Sequence, residues 1–211
     1  MKKNLLNPPL FIALLAGIAV IPTALQAGQT GSYFNADAGV SLVEDITTSV
    51  GGVTGKIKFN PGARFSMAGG YTFYSSATLS LSGEIETGLI YNSLDSASAG
   101  GASASLSGSY YQVPILGNAV LTLFPDSHWN PYVGVGGGMV YSSLSVDSVG
   151  GFSLGASSSE VDPAVQVMAG LRYKLGERSE IGVGYKYLAT FPDGISHVGT
   201  HSLSASYTLH F

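Results

Sequence analysis

Residues 164–175 read Ala-Val-Gln-Val-Met-Ala-Gly-Leu-Arg-Tyr-Lys-Leu. Val165, Val167, Ala169, Leu171, Tyr173 and Leu175 alternate with Gln166, Arg172 and Lys174, which is the period of a β-strand with one apolar and one polar face. Both cations stand on the polar face. The fold turns on whether that rule holds along the chain, because a strand facing water and a strand facing hydrocarbon differ in where their charges go.

The pattern recurs. Phe34 to Leu42 sets Phe34, Ala36, Ala38, Val40 and Leu42 against Asn35, Asp37, Gly39 and Ser41. A second strand is expected from about Lys56 to Phe73, a third from Ala77 to Asn92, a fourth from Tyr110 to Leu123 and a fifth after Pro131 with Val133, Val135, Met139 and Tyr141 on one face. Gly134, Gly136 and Gly138 leave the other face of the fifth almost bare, with room for large side chains from its neighbours. Ala164 to Leu175, Glu180 to Leu188 and Leu203 to Phe211 complete eight. The connections at 74–76, 125–130 and 176–179 are short, and those at 43–55, 93–109, 142–163 and 189–200 are long. Short turns on one rim and long loops on the other is the arrangement of a membrane barrel, with an even strand number bringing both termini to the short-turn rim. The serine-, alanine- and glycine-rich stretch 93–108 reads as a mobile loop.

Composition agrees. The 211 residues are 45 % apolar and only 10 % charged, with 29 glycines and no cysteine, against about 25 % charged in an ordinary soluble domain. Zero cysteine excludes a disulfide scaffold, a cysteine nucleophile and thiolate metal sites. The formal charge of −4 offers no basic footprint for nucleic acid. Mean hydropathy is +0.29, yet after the N-terminus no stretch approaches the eighteen apolar residues a membrane helix needs.

The N-terminus reads as an address. Met1, Lys2 and Lys3 precede the apolar run Leu10 to Ile21, and Leu25-Gln26-Ala27 ends in a small residue, so residues 1–27 are expected to be a signal peptide, cleaved after Ala27 rather than after Ala24, with residues 28–211 the barrel domain. Removing it leaves seven basic and thirteen acidic side chains. Of these twenty, ten fall in loops and turns; the rest, Asp37, Lys56, Lys58, Arg64, Glu84, Glu86, Arg172, Lys174, Glu180 and Lys186, all lie on the polar face of their strands. A soluble barrel would show the reverse. An apolar outer face free of charge is required where it meets lipid, since Lys or Arg at the bilayer midplane costs about 2–4 kcal/mol. Phe34, Tyr71, Phe73, Tyr173, Tyr207 and Phe211 cluster at one end of the strands and Tyr91, Tyr111, Tyr141, Tyr185 and Tyr187 at the other, as two interfacial girdles.

An eight-stranded barrel is just wide enough for side chains to fill it. Arg64, Arg172, Lys174 and Lys186 are therefore expected to pair across the lumen with Asp37, Glu84, Glu86 and Glu180, with a small positive excess from six bases against four acids on the polar faces. Such a plug argues against a wide pore; a narrow gated conduit or proton path is the functional alternative.

The segments Phe59-Asn60-Pro61-Gly62-Ala63-Arg64, Gly83-Glu84-Ile85-Glu86-Thr87-Gly88, Gln112-Val113-Pro114, Pro131 to Gly138 and Tyr207-Thr208-Leu209-His210-Phe211 resemble the small eight-stranded outer-membrane β-barrel family, of OmpA/OmpX and opacity-protein type. The resemblance implies a closed antiparallel up-and-down barrel in the outer membrane of a Gram-negative-type bacterium, with outer-membrane lipid and lipopolysaccharide as surroundings. It also implies that Phe211, Leu209 and Tyr207 form the signal read by the barrel-assembly machinery. The sequence departs from OmpA itself in that no periplasmic peptidoglycan-binding domain is expected after the barrel, so anchoring to the cell wall is not implied.

Some small outer-membrane barrels are enzymes, a lipid A deacylase and a palmitoyltransferase among them. His197, His201 and Ser202, with Glu84 or Glu86 as orienting acid, are the candidates, but adjacent His201 and Ser202 point to opposite faces of a strand. His128, His197, His201 and His210 lack metal-ligand spacing, and Gly134 to Gly138 is followed by neither a helix nor a lysine that would make a phosphate loop. Neither cofactor nor catalysis is expected. The reading is a structural or surface-interacting protein, serving adhesion or envelope integrity through four external loops that meet an extracellular ligand or host surface. The alternatives are a narrow porin-like channel and, behind it, a lipid A-modifying enzyme.

Overall fold

In the computed structural model, which describes residues 30–50, 53–193 and 197–211, the chain forms ten strands. They are β1 (Gly31–Val43), β2 (Ile46–Val50), β3 (Val53–Phe59), β4 (Gly62–Ser75), β5 (Leu79–Ala99), β6 (Ala102–Leu123), β7 (Trp129–Val149), β8 (Phe152–Lys174), β9 (Ser179–Thr190) and β10 (Val198–His210). Eight close a ring. β1 pairs antiparallel with β4 and β10, β5 pairs with β4 and β6, and the ladder runs on through β7, β8 and β9 back to β10. Closure leaves no free edge inside the hydrocarbon layer, the condition a sheet must meet to cross it. The expected signal peptide lies outside the described residues.

Inside and outside follow the parity expected. Ile85, Val135 and Leu203 are about three-fifths exposed on the outer wall, while Asp37, Arg64, Glu84, Glu86, Arg172, Glu180 and Lys186 are buried within. Tyr71, Phe73, Trp129 and Tyr207 stand exposed at the short-turn rim and Tyr91 and Tyr185 at the other.

Three local expectations are corrected. The strand expected from Lys56 to Phe73 breaks at Asn60-Pro61, where proline lacks the ladder donor; β3 pairs with the hairpin partner β2 and, above β4, with β5. Residues 93–109 and 142–163 are not open loops. They extend β5–β6 and β7–β8 as ladders that pair Ala99 with Ala102 and Val149 with Phe152. Each hairpin closes in two glycines, Gly100-Gly101 and Gly150-Gly151, all four with φ between 57° and 87°, the sign a primed two-residue turn demands. Strands of 21–23 residues are twice the roughly 9–11 needed to span a bilayer, so β5 to β8 project well beyond the wall formed by β1, β9 and β10.

Glycines inside the ring make room for large side chains. A Cβ on Gly70 would lie 2.3 Å from the Tyr33 ring, and one on Gly136 would lie 1.9 Å from Asn118 Oδ1.

Candidate functional site

The lumen is layered. Nearest the short-turn rim, Tyr33 on β1 donates to Glu84 Oε1 on β5 at 2.7 Å. Arg172 on β8 places Nη2 3.8 Å from the same oxygen and its guanidinium 4.3 Å above the Tyr132 ring. Glu180 on β9 faces His210 on β10 at 3.6 Å.

The middle layer joins six strands, β1, β4, β5, β6, β8 and β9, around two carboxylates. Glu86 Oε1 lies 2.6 Å from Arg64 Nη2 and 2.9 Å from Lys186 Nζ, and its Oε2 accepts from Asn118 at 2.8 Å and Gln166 at 3.0 Å. Lys186 also reaches Asp37 Oδ2 at 2.7 Å, an oxygen that accepts from Ser66 at 2.7 Å. Arg64, Asp37 and Glu86 side chains are 0–3 % exposed. Buried ions of this kind persist only where partners and hydrogen bonds replace water; both Glu86 oxygens are supplied in this way, whereas Asp37 Oδ1 and Arg64 Nε and Nη1 are buried without a hydrogen-bond partner.

Above the ions the character changes. Ile90, Leu116, Val140, Ala164 and Leu188, one each from β5 to β9, form a buried apolar layer with no side chain over 4 % exposed. A polar ring follows, in which Ser41 donates to Asn92 at 2.9 Å and Thr200 to Gln112 at 3.0 Å. Val43, Tyr110 and Val198 form a second apolar cluster near the long-hairpin rim, with Ile46, Phe59 and Leu144 packed on it.

Seven of the eight lumen charges named from sequence meet in these layers. Lys174 does not: it lies at the rim, where its ammonium donates to the Pro125 carbonyl in the adjoining turn. Lys56 and Lys58 belong to β3, above the barrel, and Lys56 pairs with Asp45 at 2.6 Å. The expected positive excess is therefore reversed, since the buried layers hold three cations against four carboxylates. Two participants were not singled out, Tyr33 and Tyr132. Tyr33 shares the parity of Asn35 and Asp37, which was the available signal.

The proposed catalytic neighbours separate. Ser202 is buried inside. His201 lies on the outer wall, its Nδ1 2.6 Å from Tyr185 Oη and its Nε2 3.0 Å from Glu44 Oε1, while His197 stands 3.7 Å from the same carboxylate. Glu84 and Glu86 are committed to other partners inside the lumen and make no ion pair with His197 or His201, which face Glu44 instead. The C-terminal Tyr207 and Leu209 pair with Ala36 and Phe34, and the Phe211 amide donates to the Ser32 carbonyl at 2.9 Å, so the chain end is stitched to the first strand.

The sequence matches the family model for the outer membrane protein beta-barrel domain over residues 11–211. The chain belongs to this family. It is an outer-membrane β-barrel protein, placed in the outer membrane of a Gram-negative-type envelope, with the short turns periplasmic and the long hairpins outside. Among solved structures it is similar to Neisserial surface protein A, at 20 % identity and a TM-score of 0.58, covering 86 % of this chain and 97 % of that one. It is also similar to the outer-membrane protease OmpT of Escherichia coli, at 8 % identity and a TM-score of 0.50, covering 90 % and 99 %. A third is the attachment invasion locus protein Ail of Yersinia pestis, at 16 % and 0.49, covering 85 % and 99 %. At these identities the likeness is one of fold. No curated protein matches the sequence.

Proposed function

We propose that this barrel is a non-enzymatic surface protein: its lumen is closed to solutes and its outer hairpins are the working part, serving adhesion or envelope integrity. The observation that carries this is a hydrogen-bonded ionic network packed against an apolar cluster inside the barrel. An ion crossing the lumen would have to pass the buried ions and then the apolar side chains of Ile90, Leu116, Val140 and Leu188, against which lost hydration costs several kcal/mol. The same strands that seal the lumen continue outward as β5 to β8, which places most of the water-exposed surface in the hairpins.

Two measurements test it. Purified protein in planar lipid bilayers is expected to give no stepwise current; steady open-state steps would favour the porin-like alternative. Cells carrying the barrel with residues 93–109 and 142–163 replaced by short turns are expected to lose attachment to a host-cell monolayer that the full chain supports. Equal attachment would contradict the surface role. The enzyme alternative predicts a changed lipid A mass profile in cells that express the protein, and the account expects an unchanged one.

A further inference from the structure

Asp162 stands at the outer mouth of the lumen. Along β8, residues 162, 164, 166 and 168 are buried and 161, 163, 165 and 167 are exposed, so the Asp162 side chain points inward, just beyond the last β8–β9 pair, Ala164 with Thr190. Its partner in register on β7 is Val140, a member of the apolar cluster. Asp162 is only 8 % exposed, yet among the described residues it has neither a hydrogen bond nor an ion pair. Buried carboxylates persist where partners replace water, as they do at Glu86; Asp162 has no such partner.

Its surroundings are acidic. Burial, and then repulsion by Glu160 and Asp193, hold its carboxyl above the usual aspartate range. Glu160 lies two residues before it on the same side of the strand, and Asp193 sits in the turn after β9. The ammonium of Lys56, on β3, is taken by Asp45 at 2.6 Å. Tyr110, on β6, is near enough to Asp162 to feel its charge. Next to Tyr110 on the same face, Gln112 is fully buried, its Oε1 accepting from Thr200 at 3.0 Å and its Nε2 without a partner. The mouth thus holds a lone acceptor and a lone donor beside apolar side chains. Unmet buried groups of this kind are rare in folded chains, and a few polar groups set against apolar walls are the make-up of a small-ligand site.

We infer that Asp162, backed by Glu160 and Asp193, binds the primary ammonium of a small alkylamine drawn from the external water, a diamine or polyamine in preference to a monoamine. The ammonium supplies N–H donors for charge-assisted hydrogen bonds to Asp162, its methylene stem lies against Val140 and Tyr110, and a second ammonium answers Glu160 or Asp193. A bare metal ion suits the position less, since among the described residues no three carboxylates or imidazoles are placed to hold one. Because Asp162 faces the lumen side of the wall, lipid headgroups on the outer side do not reach it. The site goes beyond the adhesion reading and needs no contact with a host surface.

The test is calorimetric titration of the full barrel in phosphatidylcholine nanodiscs with the diamine putrescine. One-site binding with a Kd below about 1 mM is expected, weakened about tenfold by Asp162→Asn and about threefold by Asp193→Asn, and unchanged by Glu177→Gln at the opposite rim. The doubly N-acetylated diamine, which keeps the stem and loses both charges, is expected not to bind. Nanodiscs that contain phosphatidylethanolamine separate the two sources of ammonium: unchanged affinity for putrescine is expected, and a fall would assign the site to a lipid headgroup and overturn the proposal. It is also overturned by the absence of binding at about 10 mM putrescine, by an Asp162→Asn affinity within about twofold of the parent's, by equal binding of the acetylated diamine, or by Mg2+ displacing putrescine at equal concentration. If Asp162→Asn loses heat-modifiable gel migration, Asp193→Asn and the acetylated diamine decide.

Discussion

The Glu86 carboxylate lies 2.6 Å from the Arg64 guanidinium, and neither side chain is more than 1 % exposed. Lys186 shares the same oxygen, so Glu86 neutralises two cations from opposite directions, β4 and β9. Replacing it by Leu leaves Arg64 and Lys186 with Asp37 alone. Removing one partner of a buried ion pair destabilises by about 3–5 kcal/mol, and urea titration of the barrel folded into lipid vesicles should show a loss of that size for Glu86→Leu. A loss below about 1 kcal/mol would mean the layer is hydrated and weakly coupled.

Tyr33 lies against Gly70 so closely that a methyl group there would sit 2.3 Å from its ring. Gly70→Val is expected to destabilise by about 1–3 kcal/mol through overpacking, measured by the same titration. Combining it with Tyr33→Ala should recover part of the loss, because the clash and its partner are removed together.

Val135 projects from the membrane-spanning half of β7 with three-fifths of its surface exposed. In the membrane that surface meets acyl chains, so Val135→Lys should cost about 2–4 kcal/mol of folding stability in vesicles. The same substitution on an exposed edge position above the barrel, Ser157, should cost almost nothing. Equal effects at the two sites would contradict the assignment of faces.

If residues 1–27 are removed on export, intact-mass measurement of protein from outer-membrane fractions should give a chain beginning at Gly28. A chain beginning at Leu25 would move the cut to Ala24, and an intact Met1 would remove the signal-peptide reading.

The faces of the eight ring strands were legible because hydrocarbon on one side of the wall imposes a strict alternation. Ser-rich β5–β6 and β7–β8 extensions were not, since apart from Leu94 and Leu144 at their roots few of their residues are buried and no period survives; what orders them is the ladder to a neighbour and a diglycine turn. Cross-lumen partners were legible as a set of charges but not as pairs. Which carboxylate meets which cation depends on the stagger of the strands around the ring, and Lys174 drops out of the set because it falls one layer too near the turn. The apolar layer of Ile90, Leu116, Val140 and Leu188 was hidden for the opposite reason: each stands alone among polar lumen neighbours and becomes a layer only on closure. Glu44 meets His201 across 157 positions of sequence, a distance no local pattern spans.

The methyl groups that touch lipid are read directly by nuclear Overhauser transfer from acyl-chain protons to methyls in nanodiscs. Ile85, Val135, Val183 and Leu203 should receive strong transfer, and Ile90, Leu116, Val140 and Leu188 none. Transfer to the second group, or its absence from the first, would contradict the assignment of faces.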